Sequence, residues 1–418
     1  MDYTRFAAPD TFVGTYMDYM SEQETAIDYD FWCAMWLISL ACGRHVKVAR
    51  PRAPVYMNWY IMLVANSGIT RKSSSVDKAT DIGFEFLRSL DEKQILIQGK
   101  MTPEMLENSL VKSSLEYGYA YAAISISELV RFLGREKYVS TLPGLLTDLY
   151  DSPTFRTGGG TLQRGSTEFH NVYVCFLSAS TPTWLLRAIN PDVVEGGFTS
   201  RVIFVVSDKP KQLVAWPRDR EYDTRIFCDR MLNIRRTAKK VSNITITRNA
   251  LDTFTAWYNS RSRHIDSFRA TFESREDAHV LRVAACLTIN EDIWEIQQRH
   301  IAPSIELIEH VKQAGAQIFE GAGSSSKIVI GLDKLREIFI LAGTNGVIKS
   351  ILTKKLERYF DSKTLDIVLE IMHEMGLVQR FEKVKLGKGR PATLYRGTKS
   401  LLDEEVLNQL MEKMEPVL

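Results

Sequence analysis

The stretch from Trp59 to Ser75, WYIMLVANSGITRKSSS, constrains the fold of this 418-residue chain more than any other. An apolar run ends at Val64, small and turn-forming residues follow, and a helix is predicted to begin near Lys72. This is the strand–loop–helix layout in which backbone N–H groups at a helix start hold phosphate groups. The layout therefore predicts an α/β domain with a phosphate-binding loop.

The loop is a variant of the pattern G-x-x-x-x-G-K-[ST]. Counting back from Lys72, Asn66 and Arg71 stand where the pattern has glycine, and Gly68 gives the backbone freedom between them. Lys72 would supply a point charge and the Ser73 hydroxyl would bind Mg²⁺. The residues expected to bind nucleotide here are Asn66, Ser67, Gly68, Thr70, Arg71, Lys72 and Ser73. On spacing alone, the alternative is an ordinary polar loop with a surface lysine.

Four further apolar runs are separated by helical stretches, a rhythm typical of a parallel sheet covered on both faces. They are QILIQ (94–98), YAYAAISI (119–126), VYVCFL (172–177) and VIFVV (202–206). Ligands of open α/β sheets bind at the carboxyl ends of strands, so polar residues there are site candidates. Ser127 and Glu128 follow the second run, and Glu128 is expected to orient and deprotonate water. Ser180, beyond the third run, is expected to sense the γ-phosphate.

Several segments resemble a family of P-loop ATPase domains in replication proteins of phages, plasmids and genomic islands, distantly similar to AAA+ minichromosome maintenance helicases. These segments are residues 30–46, the loop at 58–74, MTPEMLENSL (101–110), ISELVRFLG (126–134), LLTDLYDSP (145–153) and 178–205. The resemblance implies an AAA+-like P-loop NTPase fold, ATP and Mg²⁺ as ligands, and a homo-oligomeric ring, with a hexamer expected. Ala65 and Ser127 depart from the family pattern, and these departures favour weak hydrolysis over loss of nucleotide binding.

The resemblance also assigns catalytic roles to three arginines. FTSR before the last strand resembles an arginine-finger segment, so Arg201 is expected to reach the γ-phosphate bound by a neighbouring subunit. In SREDAHVLRVAACL (274–287), Arg275 and Arg282 resemble the second-sensor helix of a helical lid. Their spacing places them on one face of a helix. The alternatives are a surface arginine beside the strand and an amphipathic helix with a solvated arginine edge.

The segment TFRTGGGTLQRGS (154–166) occupies the place where helicases of the resembled class insert a hairpin into a central channel. Arg156 and Arg164 would follow a DNA backbone in such a channel. The three consecutive glycines are a weak signal by themselves, and a flexible surface loop is the alternative.

Positive charge is concentrated in residues 326–400, which carry 15 Lys and Arg against 8 Asp and Glu. Three predicted helices and a hairpin in this region are the layout of a winged helix, which binds DNA. Asp361 or Ser362 would cap the third helix and Gly376 would end it. The expected DNA contacts are Lys363 and Thr364 on this helix and Lys383, Lys385, Lys388 and Arg390 on the wing. The alternative is a protein-docking module.

Composition bounds the remaining possibilities. The longest apolar run, FWCAMWLISLAC, has 12 residues, too few for a membrane-spanning helix of about 20. It lies too far along the chain for a signal peptide, so a buried helix and a cytoplasmic location are expected. Five cysteines without a C-x-x-C motif indicate free thiols. The predicted regions are an N-terminal helical region (1–56), a P-loop ATPase core (57–210), a helical lid (211–320), a linker (321–326), a winged helix (327–400) and an acidic C-terminal helix or tail (401–418).

These expectations together predict an ATP-dependent DNA motor, a ring-forming replicative helicase of a phage or other mobile element that acts on single- or double-stranded DNA and not on a membrane. The second interpretation is a nucleotide-gated DNA-binding initiator or scaffold with weak or no hydrolysis. A third is a regulatory protein in which the P-loop fold is only structural.

Overall fold

The computed structural model describes residues 1–51, 53–90, 95–99, 101–129, 141–157, 168–188, 197–216, 223–261, 267–357, 359–384 and 392–398. Arg164, Lys385, Lys388, Arg390 and the acidic tail at 401–418 lie outside these residues. The chain divides into two compact units, Met1–Gln317 and Ile318–Leu418, and each is described by itself.

The first unit alternates strands and helices along most of its length. Its strands are β1 (Lys47–Val48), β2 (Val55–Tyr56), β3 (Tyr60–Val64), β4 (Ile95–Ile97), β5 (Tyr121–Ile126), β6 (Phe155–Thr157), β7 (Glu168–His170), β8 (Tyr173–Ser180), β9 (Val202–Val206), β10 (Asn243–Ile246) and β11 (Glu295–Ile296). Its helices are α1 (Phe12–Tyr19), α2 (Ile27–Cys42), α3 (Lys72–Ser89), α4 (Pro103–Tyr117), α5 (Thr141–Tyr150), α6 (Pro182–Ala188), α7 (Arg225–Val241), α8 (Arg248–Ser260), α9 (Ser267–Glu273), α10 (Glu276–Asn290) and the first part of α11 (Gln298–Ala342), whose remaining residues belong to the second unit.

A five-stranded parallel sheet, in the order β4–β5–β8–β3–β9, forms the centre of this unit. Every residue of β3, β5 and β8 is buried, which explains why these strands consist of apolar and aromatic residues with a few small serines instead of alternating. The five runs predicted as strands all form this sheet, so the predicted α/β class with a parallel sheet is confirmed.

Helix α2 accounts for the longest apolar run of the chain. It is buried along almost its whole length and contacts β3, β8, β9 and the neighbouring helices α3 and α7. A helix that is hydrophobic on all sides is stable only when it is surrounded. The prediction of a buried helix on the sheet is therefore confirmed. No helix among the described residues is both long and apolar enough to cross a membrane.

A second sheet, in the order β11–β10–β1–β2, connects two regions that the sequence predicted to be wholly helical. Strand β1 pairs in parallel with β10 and antiparallel with β2, so the N-terminal region and the region after residue 211 share one sheet. Strands of two to four residues are too short to show a period of two in the sequence. The boundaries predicted at residues 56 and 210 consequently do not separate compact units.

The predicted linker at residues 321–326, GAGSSS, lies inside helix α11. The prediction of a flexible segment rested on composition, but a glycine in a helix interior costs only about 1 kcal/mol relative to alanine. Stretches of good helix formers on both sides can offset that cost. The division between the two compact units falls after Gln317.

The second unit contains the helices α12 (Lys349–Leu356) and α13 (Ser362–Glu374) and the strands β12 (Val347–Ile348), β13 (Val378–Val384) and β14 (Ala392–Gly397). The strands form an antiparallel sheet in the order β12–β14–β13, and β13 and β14 are the predicted hairpin. Asp361 caps α13 by accepting a hydrogen bond of 2.7 Å from the backbone N–H of Thr364. Gly376, with φ +69°, follows the helix at its predicted end.

Helix α10 buries a polar face in the first unit. His279 on this face is fully buried, and its Nε2 donates a hydrogen bond of 2.8 Å to the backbone oxygen of Ser200. Burial is the main cause that lowers the pKa of His279 to about 3, and the nearby charge of Arg282 adds to it. The imidazole is therefore neutral in the folded protein at physiological pH.

This buried histidine predicts a loss of stability in acid. Below the unfolded-chain pKa of about 6.5 the unfolded state binds a proton that the folded state does not, so stability falls as pH falls toward 3. Between pH 7 and pH 5 the His279 contribution should decrease by about 2 kcal/mol. Urea unfolding of a His279→Gln variant should show a smaller decrease than the wild type. The exposed His170, changed to Gln, is the control; a decrease in His279→Gln equal to that of the control would contradict the prediction.

Candidate functional site

Six predicted site residues come together at the carboxyl edge of the parallel sheet, and two of them, Ser67 and Gly68, lie in the loop after β3. Lys72 and Ser73 begin α3 directly after the loop that follows β3, Glu128 follows β5, and Ser180 ends β8. They line one cavity of about 390 Å³. The lining also includes Ser67, Gly68, Ser127, Thr181 and Trp184. A concave site of this size is suited to a small organic ligand.

The strand order explains why a cavity opens at this place. From β3 the chain passes through α3 to β4 at one edge of the sheet, whereas from β8 it continues to β9 on the other side of β3. The carboxyl ends of β3 and β8 are adjacent, since Val64 is in register with Ser180. Neighbouring strands whose connections leave in opposite directions form the crevice in which open α/β sheets bind ligands.

The loop between β3 and α3 has left-handed backbone at two positions. Gly68 has φ +81°, and Arg71 has φ 44° and ψ 38°. Arg71 stands at the second glycine position of the motif, and its backbone adopts a conformation that glycine reaches easily and other residues reach at a cost of about 1–2 kcal/mol. Its exposed side chain lies 3.6 Å from the carboxylate of Glu24. Arg71 therefore keeps the left-handed backbone that the motif's glycine would adopt, although it carries a long side chain.

Tyr29 of α2 anchors this loop at both ends. Its hydroxyl donates a hydrogen bond of 2.8 Å to the backbone oxygen of Val64 and accepts one of 3.3 Å from the hydroxyl of Thr70. The Thr70 side chain is only 1% exposed and does not line the cavity, so a contact of Thr70 with nucleotide would have to come from its backbone and stays a prediction. The Thr70 hydroxyl holds the loop in place. Tyr29 gave no signal in the sequence, because its contact depends on how α2 packs.

The cavity contains a cation and a carboxylate within electrostatic range of each other. Partial burial lowers the pKa of Lys72, and the negative charge of Glu128 opposes that shift. The Nζ of Lys72 lies 3.4 Å from the backbone oxygen of Asn66, which lies at the exposed start of the loop. This arrangement offers a positive group for phosphate oxygens and a negative group for a water molecule.

The residues of the cavity fit a magnesium ion that accompanies a phosphorylated ligand. Mg²⁺ is usually held by one or two protein oxygens, substrate phosphates and water. The Ser73 hydroxyl donates only a long hydrogen bond of 3.5 Å to the backbone oxygen of Ser127, and its oxygen lone pairs stay available for a metal. Ser127 supplies a hydroxyl and not a carboxylate. Among the described residues no three His, Cys, Asp or Glu side chains form a metal site, so phosphate would have to supply most of the ligands.

The three predicted catalytic arginines lie near the opposite, amino edge of the sheet. Arg201 directly precedes β9 and donates hydrogen bonds to the backbone oxygen of Gly197 at 2.8 Å and to the carboxylate of Asp151 at 3.2 Å. Arg275 donates to both carboxylate oxygens of Asp151. A five-residue strand spans roughly 16 Å, so these arginines do not reach the cavity of their own chain.

Arg282 is buried, with 3% of its surface exposed. Its Nε donates a hydrogen bond of 2.7 Å to the backbone oxygen of Tyr56, and its guanidinium lies 5.1 Å from the ring centroid of Trp59. Almost every residue of α10 is buried. The alternative of an amphipathic helix with a solvated arginine edge is therefore wrong for this segment.

The candidate DNA-binding residues lie in two places. Arg156 lies in β6, which pairs antiparallel with β7, so the segment has the hairpin base expected from the sequence. Its guanidinium donates to the Asp148 carboxylate at 2.8 Å. In the second unit, Lys363 is exposed at the start of α13, beside Thr364. Lys383 lies in strand β13.

Helix α13 has an outward face that the sequence analysis did not anticipate. Asp366 forms an ion pair of 2.6 Å with Lys349, and Glu370 forms one of 2.9 Å with Arg380. The partners come from α12 and β13, so only the folded arrangement shows the pairing. Two of the basic residues counted toward the positive charge of this region are thus already neutralised by the helix.

Comparison with known proteins identifies no relative. No model of a known protein family matches the chain, and no curated protein shows a significant match to its sequence. The resemblance of the loop and strand-end motifs to phage and plasmid ATPases stays a prediction. Function must therefore be argued from the geometry of the cavity.

The two left-handed loop positions predict opposite effects of substitution on stability. Arg71→Gly should stabilise the protein by about 0.5–1 kcal/mol, because relief of backbone strain exceeds the greater freedom of glycine in the unfolded chain. Gly68→Ala should destabilise it by about 1 kcal/mol, although no atom lies within 4 Å of the added Cβ. Urea unfolding measures both effects. A change of the same sign in both variants would contradict the conformation described for the loop.

Proposed function

We propose that this protein is a P-loop ATPase of AAA+-like fold, which binds ATP and Mg²⁺ at the carboxyl edge of its parallel sheet and hydrolyses the nucleotide. The observation that carries the proposal is the convergence of Lys72, Ser73 and Glu128 on one cavity at the start of an 18-residue helix. The first turn of that helix offers unpaired backbone N–H groups and the positive end of the helix dipole. Both favour the binding of phosphate.

The residues of the cavity divide the work of hydrolysis. Backbone N–H groups of the loop and the ammonium of Lys72 hold the phosphates, and the Ser180 hydroxyl is placed to donate to the γ-phosphate. Glu128 orients a water molecule and takes its proton as the water oxygen attacks the γ-phosphorus and the bond to the β,γ-bridging oxygen breaks. Ser73 would hold Mg²⁺ together with the phosphates, and the ion would supply positive charge to oppose the negative charge that develops on the phosphate oxygens. Phosphate and ADP leave.

DNA is the molecule on which we propose that the ATPase acts. Residues 326–400 carry an excess of seven positive charges, and the second unit combines three helical segments with a hairpin, which is the layout of a winged helix. Arg156 lies on the hairpin formed by β6 and β7 in the first unit. A finger role for Arg201 requires a second copy of the chain, because its own cavity is at the other end of the sheet. These features favour a ring-forming helicase of a mobile element.

A second candidate is a nucleotide-gated DNA-binding initiator or scaffold that hydrolyses ATP slowly. One observation favours it: Ser127 stands beside Glu128 where a carboxylate would strengthen the binding of Mg²⁺. In this candidate ATP would change the assembly of the protein on DNA without driving repeated turnover.

Substitution of Lys72 tests nucleotide binding directly. Lys72→Ala should abolish detectable ATP binding, because it removes the cation that faces the phosphates. The side chain is only partly buried, so folding should be retained. Lys78→Ala, a change of the same kind on the same helix and outside the cavity lining, should bind ATP as the wild type does. Equal ATP affinity in both folded variants, measured by titration calorimetry, would sink the assignment of the loop.

Substitution of Glu128 separates the motor from the scaffold. Glu128→Gln should retain ATP binding and lose turnover by about 10²–10⁴-fold, the usual contribution of a general base. Phosphate release should be measured for the wild type and the variant, with and without single-stranded DNA. Turnover stimulated by DNA supports the motor. A wild type that binds ATP and DNA but shows no turnover above that of Glu128→Gln supports the initiator or scaffold.

A further inference from the structure

The first unit has a second cavity, of about 450 Å³, near the amino edge of the sheet. Its walls are the segment that precedes β3, the end of α5 and the start of α10. Three arginines and two aspartates contribute to its lining: Arg50, Arg275, Arg282, Asp151 and Asp277. None of these residues lines the cavity at the carboxyl edge.

The positive charges around this cavity exceed the negative ones. Arg50 forms an ion pair of 2.6 Å with Asp277. Arg275 and Arg201 share the single carboxylate of Asp151. Three arginines line the cavity, and Arg201 binds Asp151 from outside the lining, so the two carboxylates leave an excess of positive charge that would attract a further anion.

Arg282 contributes most to this imbalance because it is almost completely buried. Its hydrogen-bond partners among the described residues are neutral: the backbone oxygen of Tyr56, the Tyr150 hydroxyl and the ring of His279. Among the residues that the structure describes, no carboxylate lies within ion-pair distance of Arg282. Since an uncompensated buried charge is costly, an anion in the cavity would stabilise this guanidinium.

Asp151 already occupies part of the cavity as an anion. Its side chain is 50% exposed, and both of its oxygens accept hydrogen bonds from Arg275. Burial opposes ionisation of Asp151, but Arg275 and Arg201 hold its pKa below the ordinary value. A phosphoryl group carries more charge than a carboxylate and offers three oxygens to guanidinium groups.

We propose that this amino-edge cavity is a binding site for a phosphoryl group, which displaces the Asp151 carboxylate from Arg275 and Arg201. The phosphoryl group comes either from a free phosphate compound or from a nucleotide held by a second copy of the chain, and the second source rests on the function and the finger role of Arg201 proposed above. Asp151 acts as a competing internal anion in both cases. The site uses none of the residues that line the first cavity and can be tested separately from it.

Pyrophosphate is the probe, and Lys72→Ala is the background that removes phosphate binding at the loop. In this background Asp151→Asn should bind pyrophosphate about tenfold more tightly, because the competing carboxylate is gone, and Arg275→Gln about tenfold more weakly. Asp148→Asn is the matched control, since Asp148 lies in the last turn of the helix that Asp151 follows and pairs with Arg156 outside the cavity. Calorimetry measures the affinities, and thermal unfolding establishes that each variant is folded.

Sedimentation with a slowly hydrolysed ATP analogue, in chains with an intact loop, distinguishes the two sources. A nucleotide on a second copy predicts that Asp151→Asn assembles at about tenfold lower protein concentration than the wild type or Asp148→Asn. A free phosphate compound predicts tighter pyrophosphate binding without a change in assembly. The proposal is overturned if Asp151→Asn and Arg275→Gln alter neither pyrophosphate affinity nor assembly relative to the control. Failure of the loop assignment would appear separately, as ATP affinity unchanged by Lys72→Ala.

Discussion

The hydroxyl of Tyr29 holds together the part of the molecule on which the proposed chemistry depends. It donates to the last carbonyl of β3, which also accepts from the backbone N–H of Ser207, and it is the partner of the buried Thr70 hydroxyl shortly before α3 begins. A buried polar group left without its partner costs about 1–3 kcal/mol, which is comparable to the cost of the left-handed backbone at Arg71. The packing of α2 on the sheet therefore stabilises a loop conformation that the loop sequence alone would not favour. Helix α2 and the loop between β3 and α3 are therefore stabilised together, through Tyr29.

Two groups of charged residues lie at opposite edges of the parallel sheet. Its carboxyl edge combines Lys72 with Glu128, whereas its amino edge collects arginines around Asp151. Because all five strands run in the same direction, residues that follow strands and residues that precede them cannot act on one phosphate within a single chain. Assembly of copies with the amino edge of one facing the carboxyl edge of the next would bring the two sets together. Such a head-to-tail contact closes into a ring when its rotation permits.

The sequence was sufficient for the elements whose burial is uniform. Strands such as β3 and β8 are buried at every position, and polar residues at their carboxyl ends line the cavity. Sequence-based prediction was less successful for polar residues, because the sequence does not show whether such a residue is exposed or buried. Thr70 and Arg282 are polar residues in functional motifs, yet packing buries both. Short strands such as β1 were missed because two residues carry no period, and glycine and serine in α11 were taken for a break that the flanking sequence overrides.

The net charge of a segment also does not show which of its basic residues are available to a ligand. Residues 326–400 have the net positive charge that attracts nucleic acid at long range. On α13, however, the carboxylates of Asp366 and Glu370 neutralise Lys349 and Arg380, so the middle of the helix presents compensated pairs to solvent. A phosphate would have to compete with those carboxylates for the two cations. For the DNA binding proposed above, this arrangement would restrict base-reading contacts to the first turn of the helix, around Lys363, and would leave long-range attraction to basic residues outside the paired face.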